Sequence, residues 1–306
     1  MPDRSARQRI AAPLARRQGG VVSRAQLEAL GITRSEIKVE LAAGRWHARG
    51  RHAVAVHEVT RDGLFAAALM EVRGDVRLDG VSALIYRGLT GWDEDLIHVS
   101  VRHGTHAPPV AGTSIHRVRD LEPCAIGVGL ATSHPTYAAI RAAVWARSDR
   151  AAMTILAIAV QQEVVAADAL LERWRRWKRR IPRRALIDQV IRDVCAGAQS
   201  LGELDFARLC RERGLPEPDR QVVTKGPKGR IFLDVRWSTL GVVVEIDGAH
   251  HASGLMPVDD ALRQNQVVLG GDVVLRIPVL GLRLEPDGFM NQVAQALTTA
   301  AERLAS

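Results

Sequence analysis

Three cysteines in a chain of 306 residues are too few and too scattered to staple a fold. Cys124, Cys195 and Cys210 offer neither a CxxC pair nor a zinc spacing, which argues against a disulfide framework and for reduced thiols in a cytosol. Long apolar runs are missing as well. The longest, Ala151–Val160 with Thr154 inside it, is far short of the roughly 20 residues that span a bilayer. The first residues lack the apolar segment of a signal peptide. Neither an internal repeat nor a low-complexity tract is present. These absences set the expectation of a soluble, cytoplasmic protein with no membrane partner.

What is abundant is positive charge. Lys and Arg number 42 against 34 Asp and Glu, a formal net charge of +8, which favours an anionic partner such as nucleic acid. The excess is uneven. Residues 1–57 hold eleven basic and four acidic residues, whereas residues 231–306 hold five basic and nine acidic. A hydrophobic fraction of 47% is ample for buried cores, and the length suits two or three domains.

Residues 1–57 predict three short helices and a hairpin. The first helix runs from about Ala6 to Arg17 and stops at Gly19-Gly20. Val21-Val22 fits a short strand. Ser23 caps a second helix with Gln26 at the capping-box offset, and Gly31 ends it. Thr33 caps a third with Glu36 as its box partner, and Gly44 closes it. In that third helix Ile37 and Leu41 face inward, while Arg34 and Lys38 share the outer face. RWHARGRHAVAVH then reads as a basic hairpin around Gly50. Helix, tight turn, second helix with outward cations and basic hairpin are the layout of a winged helix-turn-helix. Such a fold lays the second helix of the pair, with Arg34 and Lys38, in the major groove of DNA. Arg45, Arg49 and Arg51 of the hairpin would touch phosphates. A small helical domain with solvated charges is the alternative.

Residues 58–196 read as a mixed α/β stretch followed by helices. A helix is expected over Arg61–Val72, a short strand at Val76–Leu78 and another helix in VSALIYRGL. Extended segments follow at Leu96–Val101, Thr113–Val118 and Ile126–Ala131. His103, His106, His116 and His134 are scattered, as surface and loop histidines are. LERWRRWKRRIPRR (171–184) is the densest cationic run. It would either lie along a phosphate backbone or form a solvated helix face whose Trp174 and Trp177 dock on the core. Pro182 suits the first turn of a helix over Arg183–Ala196. Ser200–Gly214 is a further helix, opened by the capping box of Ser200 with Glu203.

Residues 231–251, IFLDVRWSTLGVVVEIDGAHH, carry the chemistry. They predict two strands around a turn near Thr239. The second strand, Leu240–Asp247, is apolar and β-branched almost throughout, as a buried strand is. Alternation puts Val243, Glu245 and Asp247 on one face and Val242, Val244 and Ile246 on the other. Asp234 then falls opposite Glu245. Like charges facing each other across a ladder are destabilising, whereas a hard divalent cation such as Mg²⁺ or Mn²⁺ is held by such oxygens.

SLGELDFARLCRERGLPEPDRQV, LDVRW, VVVEIDGAHH, the spacing Asp260-x-x-Arg263 and GGDVVLRI together resemble the small nucleases related to very-short-patch mismatch repair (Vsr), within the PD-(D/E)XK restriction-endonuclease-like fold. The resemblance covers roughly residues 197–306. It implies that Asp234 and Glu245 bind the metal with the carbonyl of Ile246, and that Glu203 is an acid on the preceding helix. Asp247 stands where the wider superfamily has lysine, so Lys225 or Lys228 would supply the cation, and His251 would serve as general base. Asp260 and Arg263 would support the site, with Arg276 near a phosphate. GGVVSRAQLEALGITRSEIKVELAAGRWHARGRHAVAV is similar to the winged-helix domain of AbiE-type antitoxins, and VRLDGVSALIYRGLTG with LIHVSV to the region after it. PTYAAIRAAV departs from that family by lacking its Arg-Thr-x-x-Asp pattern. The implied partners are DNA and a toxin or other defence-system protein.

The expectation is a mixed α/β protein with a winged helix-turn-helix at 1–57, a middle region at 58–196 and a restriction-endonuclease-like domain at 197–306. Its function would be metal-dependent hydrolysis of phosphodiester bonds in DNA. A DNA-binding regulator with an idle nuclease fold is the alternative.

Overall fold

The computed structural model describes residues 4–122, 129–177, 180–196, 202–218, 220–225, 231–247, 273–278, 281–282 and 285–305. Contacts divide the chain into two compact units, residues 1–88 with 93–141 and residues 89–92 with 142–306. The class is mixed α/β, with small sheets. No helix among the described residues is long and apolar enough to cross a membrane.

The first unit opens with helix α1 (Arg4–Arg17), strand β1 (Val21–Ser23), helices α2 (Arg24–Ala29) and α3 (Arg34–Ala42), and strands β2 (His47–Ala48) and β3 (Ala53–Ala55). The strands form an antiparallel sheet in the order β1-β3-β2. Two of the three expected capping boxes are present, Ser23 with Gln26 and Thr33 with Glu36, and Ser200 of the third lies outside the described residues. Each satisfies two N–H groups that a helix start leaves unpaired. Helices this short are marginal in isolation, so the rest of their stability comes from packing. Leu27, Ile32, Ile37 and Trp46 meet in one core, each burial worth roughly 1.5–3 kcal/mol.

The inner face of α3 also buries two carboxylates that the apolar pattern did not announce, Glu36 and Glu40. Arg7 of α1 reaches Glu40 at 2.7 Å, and Arg45 holds the other Glu40 oxygen. Thr33 donates its N–H and its hydroxyl to Glu36, each at 2.8 Å. The Arg7 pair ties α3 to α1.

The unit continues with α4 (Arg61–Val72), β4 (Val76–Leu78), α5 (Gly80–Tyr86), β5 (Ile97–Arg102) and β6 (Thr113–Val118), the strands ordered β4-β5-β6. Asp79, fully buried, accepts from Gly80 N, Ser100 Oγ and Arg141 Nη1. A buried ion pair survives because its hydrogen bonds are satisfied. On the neighbouring strands His98 Nδ1 and His116 Nε2 lie 3.0 Å apart, with Ser114 Oγ 3.2 Å from the same His116 nitrogen. Of the strand expected over Ile126–Ala131, residues 126–128 lie outside the described ones. Residues 129–131 are not strand, and the chain touches β4 only through the Leu78–Thr132 bridge. Gly129, at φ 145°, supplies a reason: its backbone leaves the extended range.

The boundary between the units falls inside α6 (Pro135–Trp145). The second unit contains α7 (Asp149–Gln161), α8 (Ala167–Arg176), α9 (Arg184–Ala196) and α10 (Gly202–Glu212). The longest apolar run of the sequence is α7, buried from Ala152 to Ala159. Trp174 is buried, donates its indole N–H to Asp188 at 2.7 Å and carries the Arg184 guanidinium over its ring. Trp174 therefore docks as the second reading of the cationic run has it, whereas Trp177 is only half-buried and residues 178–179 lie outside the described ones. Pro182 does not start α9, because Arg183 has φ 56°, a left-handed conformation no helical residue takes.

Strands β7 (Arg220–Lys225), β8 (Ile231–Trp237), β9 (Val242–Asp247) and β10 (Val273–Pro278) form a sheet in the order β10-β9-β8-β7, with β10 parallel to β9 and the other pairs antiparallel. Val235, Trp237, Val242, Val244, Ile246, Leu275 and Ile277 bury one face. Phe206 of α10 and Phe289, Met290 and Val293 of α11 (Pro286–Ala305) complete that core.

Candidate nucleic-acid interface and candidate metal site

In the first unit α2, α3, the β2–β3 turn and the end of α4 line a cleft of about 660 Å³. Five of its lining residues are cationic, Arg24, Arg34, Lys38, Arg51 and Arg73, and one is a carboxylate, Glu28. Arg34 pairs with Glu28 at 2.8 Å while its side chain stays 84% exposed. The Glu28 carboxylate bonded to it raises the Arg34 pKa above its ordinary value, so the guanidinium is charged at any working pH. Among the described residues, Lys38, Arg51 and Arg73 have no carboxylate partner. A concave surface of one sign, offset by one acid, concentrates an anion.

The turn of the hairpin is held from behind. The Glu71 carboxylate of α4 accepts the backbone N–H groups of Arg51 at 2.9 Å and of His52 and Ala53 at 2.6 Å each. Gly50, at φ 138°, brings the chain so close that a Cβ would stand 2.5 Å from the Glu71 carboxyl carbon. Arg24 Nε also donates to the Arg51 carbonyl at 3.0 Å. Of the five cations expected on DNA, Arg34, Lys38 and Arg51 line the cleft, and Arg49 stands on the same hairpin turn. Arg45 is engaged with buried Glu40, whose carboxyl is held below the usual carboxylate range by that bond and then by Arg7. Sequence reasoning missed Arg24, Glu71 and Arg73. They join the cleft or the turn only through packing of α2 and α4.

In the second unit, Asp234 and Glu245 are direct partners across the β8–β9 ladder. The turn between the strands, residues 238–241, is centred where the sequence put it. Burial of Val242, Val244 and Ile246 leaves Glu245 on the face away from the core, half-buried. Arg276 of β10 is the ladder partner of Glu245 on its other side, and its Nε donates to Glu245 Oε2 at 3.0 Å. The expected phosphate residue is therefore a neighbour of the expected metal ligand.

Comparison with protein-family models and with curated proteins gives no match. The remaining expected residues are placed as follows. Asp247 ends β9, Lys225 ends β7 and Glu203 lies in the first turn of α10. The structure describes the backbone of these residues and of Asp234, but not their side chains. His251, Asp260, Arg263 and Lys228 lie outside the described residues. Among the described residues no group of three or more metal-ligating side chains gathers.

Two carboxylate positions share a ladder rung on adjacent strands, and carboxylate oxygens are the ligand type a hard cation takes. Arg276 is more exposed than Glu245, at 63% against 32% of the side chain, and an exposed pair of this kind contributes little on its own.

Proposed function

We propose that this chain binds duplex DNA through a winged helix-turn-helix head and cuts a phosphodiester bond with a divalent-metal-dependent, restriction-endonuclease-like domain. The DNA-binding half is supported by the cationic cleft between α3 and the β2–β3 turn, where Arg34, Lys38 and Arg51 share one concave surface. Arg34 and Lys38 reach the major groove and the turn cations hold phosphates, so affinity falls as salt releases counterions.

The hydrolytic half is supported by the shared rung of Asp234 and Glu245. These two carboxylates, with the Ile246 carbonyl, would hold Mg²⁺ or Mn²⁺. When bound, such an ion supplies a water of lowered pKa and a polarised phosphoryl oxygen. Asp247 and His251 are the proposed proton acceptors, and Arg276 turns from Glu245 to the phosphate. Incubation of the protein with supercoiled plasmid and Mn²⁺ or Mg²⁺ tests this reading. Nicking that is lost in Asp234→Ala and in Glu245→Ala supports it, and no nicking by the wild type overturns it.

The Arg276–Glu245 ion pair favours a second reading, in which the arginine replaces the metal and the body is catalytically idle. The protein is then a DNA-binding regulator. Protection of the DNA upstream of its own coding sequence, lost in Arg34→Ala and Lys38→Ala and accompanied by no nicking, would favour it.

A further inference from the structure

We propose that Arg73 is a phosphate-contacting residue, so that the DNA-binding surface extends past the hairpin to the C-terminal end of α4. The inference rests on the DNA-binding reading of the cleft. It starts from a backbone oddity. Arg73 follows the last residue of α4 with φ 64° and ψ 169°. That region of the map is almost restricted to glycine, because a Cβ there is crowded by its own backbone. Helix ends that need a positive φ ordinarily use glycine or asparagine. Gly74, the next residue, also has positive φ, at 74°. The turn would be more comfortable with glycine at both positions. An arginine held in this conformation therefore points to a task for its side chain.

The surroundings indicate the task. Arg73 lines the same cleft as Arg34, Lys38 and Arg51. The only carboxylate on that lining, Glu28, is paired with Arg34. A fifth cation in such company, which also includes Arg24, repels its neighbours unless an anion is shared. Arg73 is also fixed relative to the hairpin. Glu71, two positions earlier, accepts the N–H groups of Arg51, His52 and Ala53, so the end of α4 and the hairpin turn are bonded together. The backbone positions of Arg51 and Arg73 are thereby fixed relative to each other, so only their side chains need ordering on a phosphate backbone.

The test uses a substitution whose effects on stability and binding have opposite signs. Arg73→Gly relieves the backbone and should raise the thermal unfolding midpoint of the full-length protein. The same variant should bind a fluorescein-labelled duplex of mixed sequence several-fold more weakly, by anisotropy titration at a series of NaCl concentrations. The slope of log K against log[NaCl] should fall by about 0.9, the release expected for one lost phosphate contact. Arg73→Lys should restore the slope. An unchanged slope in Arg73→Gly, beside a wild type that binds with normal salt dependence, overturns the role of Arg73 and leaves the DNA reading standing. A wild type whose binding has no salt dependence overturns both.

Discussion

Glu245 stands on one rung between Asp234 and Arg276, a like charge on one side and an opposite charge on the other, with Arg276 Nε 3.0 Å from its carboxylate. The arginine neutralises part of the Glu245 charge that shares a rung with the Asp234 position. Removing the like charge should therefore stabilise the protein in the absence of divalent ions. Asp234→Asn is expected to raise the free energy of urea unfolding by about 0.2–1 kcal/mol in EDTA. The same variant should show no stabilisation by Mn²⁺, whereas the wild type gains stability as the ion binds the folded state. Destabilisation of Asp234→Asn in EDTA would mean that Asp234 has a different partner.

Glu28 is the counter-charge inside the cationic cleft, and under the proposed function it would compete with DNA for Arg34. Glu28→Gln should free the guanidinium and tighten binding to a mixed-sequence duplex by a few-fold at low salt. Lys38→Ala should do the reverse and lower the salt slope by about 0.9. Anisotropy titrations at matched ionic strength check both, and weaker binding by Glu28→Gln would show that the pair positions Arg34 for DNA.

The hairpin turn depends on one carboxylate and one glycine. Glu71→Gln replaces one of two acceptor oxygens with a donor that faces N–H groups, and Gly50→Ala drives a Cβ into the Glu71 carboxylate. Both should speed amide exchange at Arg51, His52 and Ala53, and both should weaken DNA binding without changing its salt slope much. Exchange rates equal to the wild type would remove Glu71 from the architecture of the turn.

Burial, the neighbouring His98 and then Arg141 push the His116 pKa down from 6.5 to about 3. The unfolded chain therefore takes up a proton between those values that the folded one refuses. The stability contribution of neutral His116 is complete above pH 6.5 and is lost as pH falls toward 3, at most about 1.4 kcal/mol per pH unit. His116→Gln should flatten that part of the pH–stability curve relative to the wild type. Coincident curves between pH 6 and pH 5 would show that His116 is solvated after all.

Local rules carried much of the architecture. The two capping boxes at Ser23 and Thr33, the helix over Arg61–Val72 and the strand over Thr113–Val118 were legible because helix caps and side-chain alternation act over a few residues. The rung shared by Asp234 and Glu245 was legible for the same reason, since the length of a hairpin turn sets its register. Pro182 misled, because the left-handed Arg183 that follows it carries no mark in the sequence.

The sequence by itself determined where α2 and α3 begin, which positions of β9 face the core, and that Asp234 shares a rung with Glu245. Only the tertiary structure decided which charges stand beside them. Arg276 joins Glu245 through the parallel pairing of β9 and β10, strands separated by 25 residues of chain. Glu71 and Arg73 join the hairpin because α4 packs behind it. A charge acts through space rather than along the chain, so its partners are set by packing and cannot be counted off in sequence.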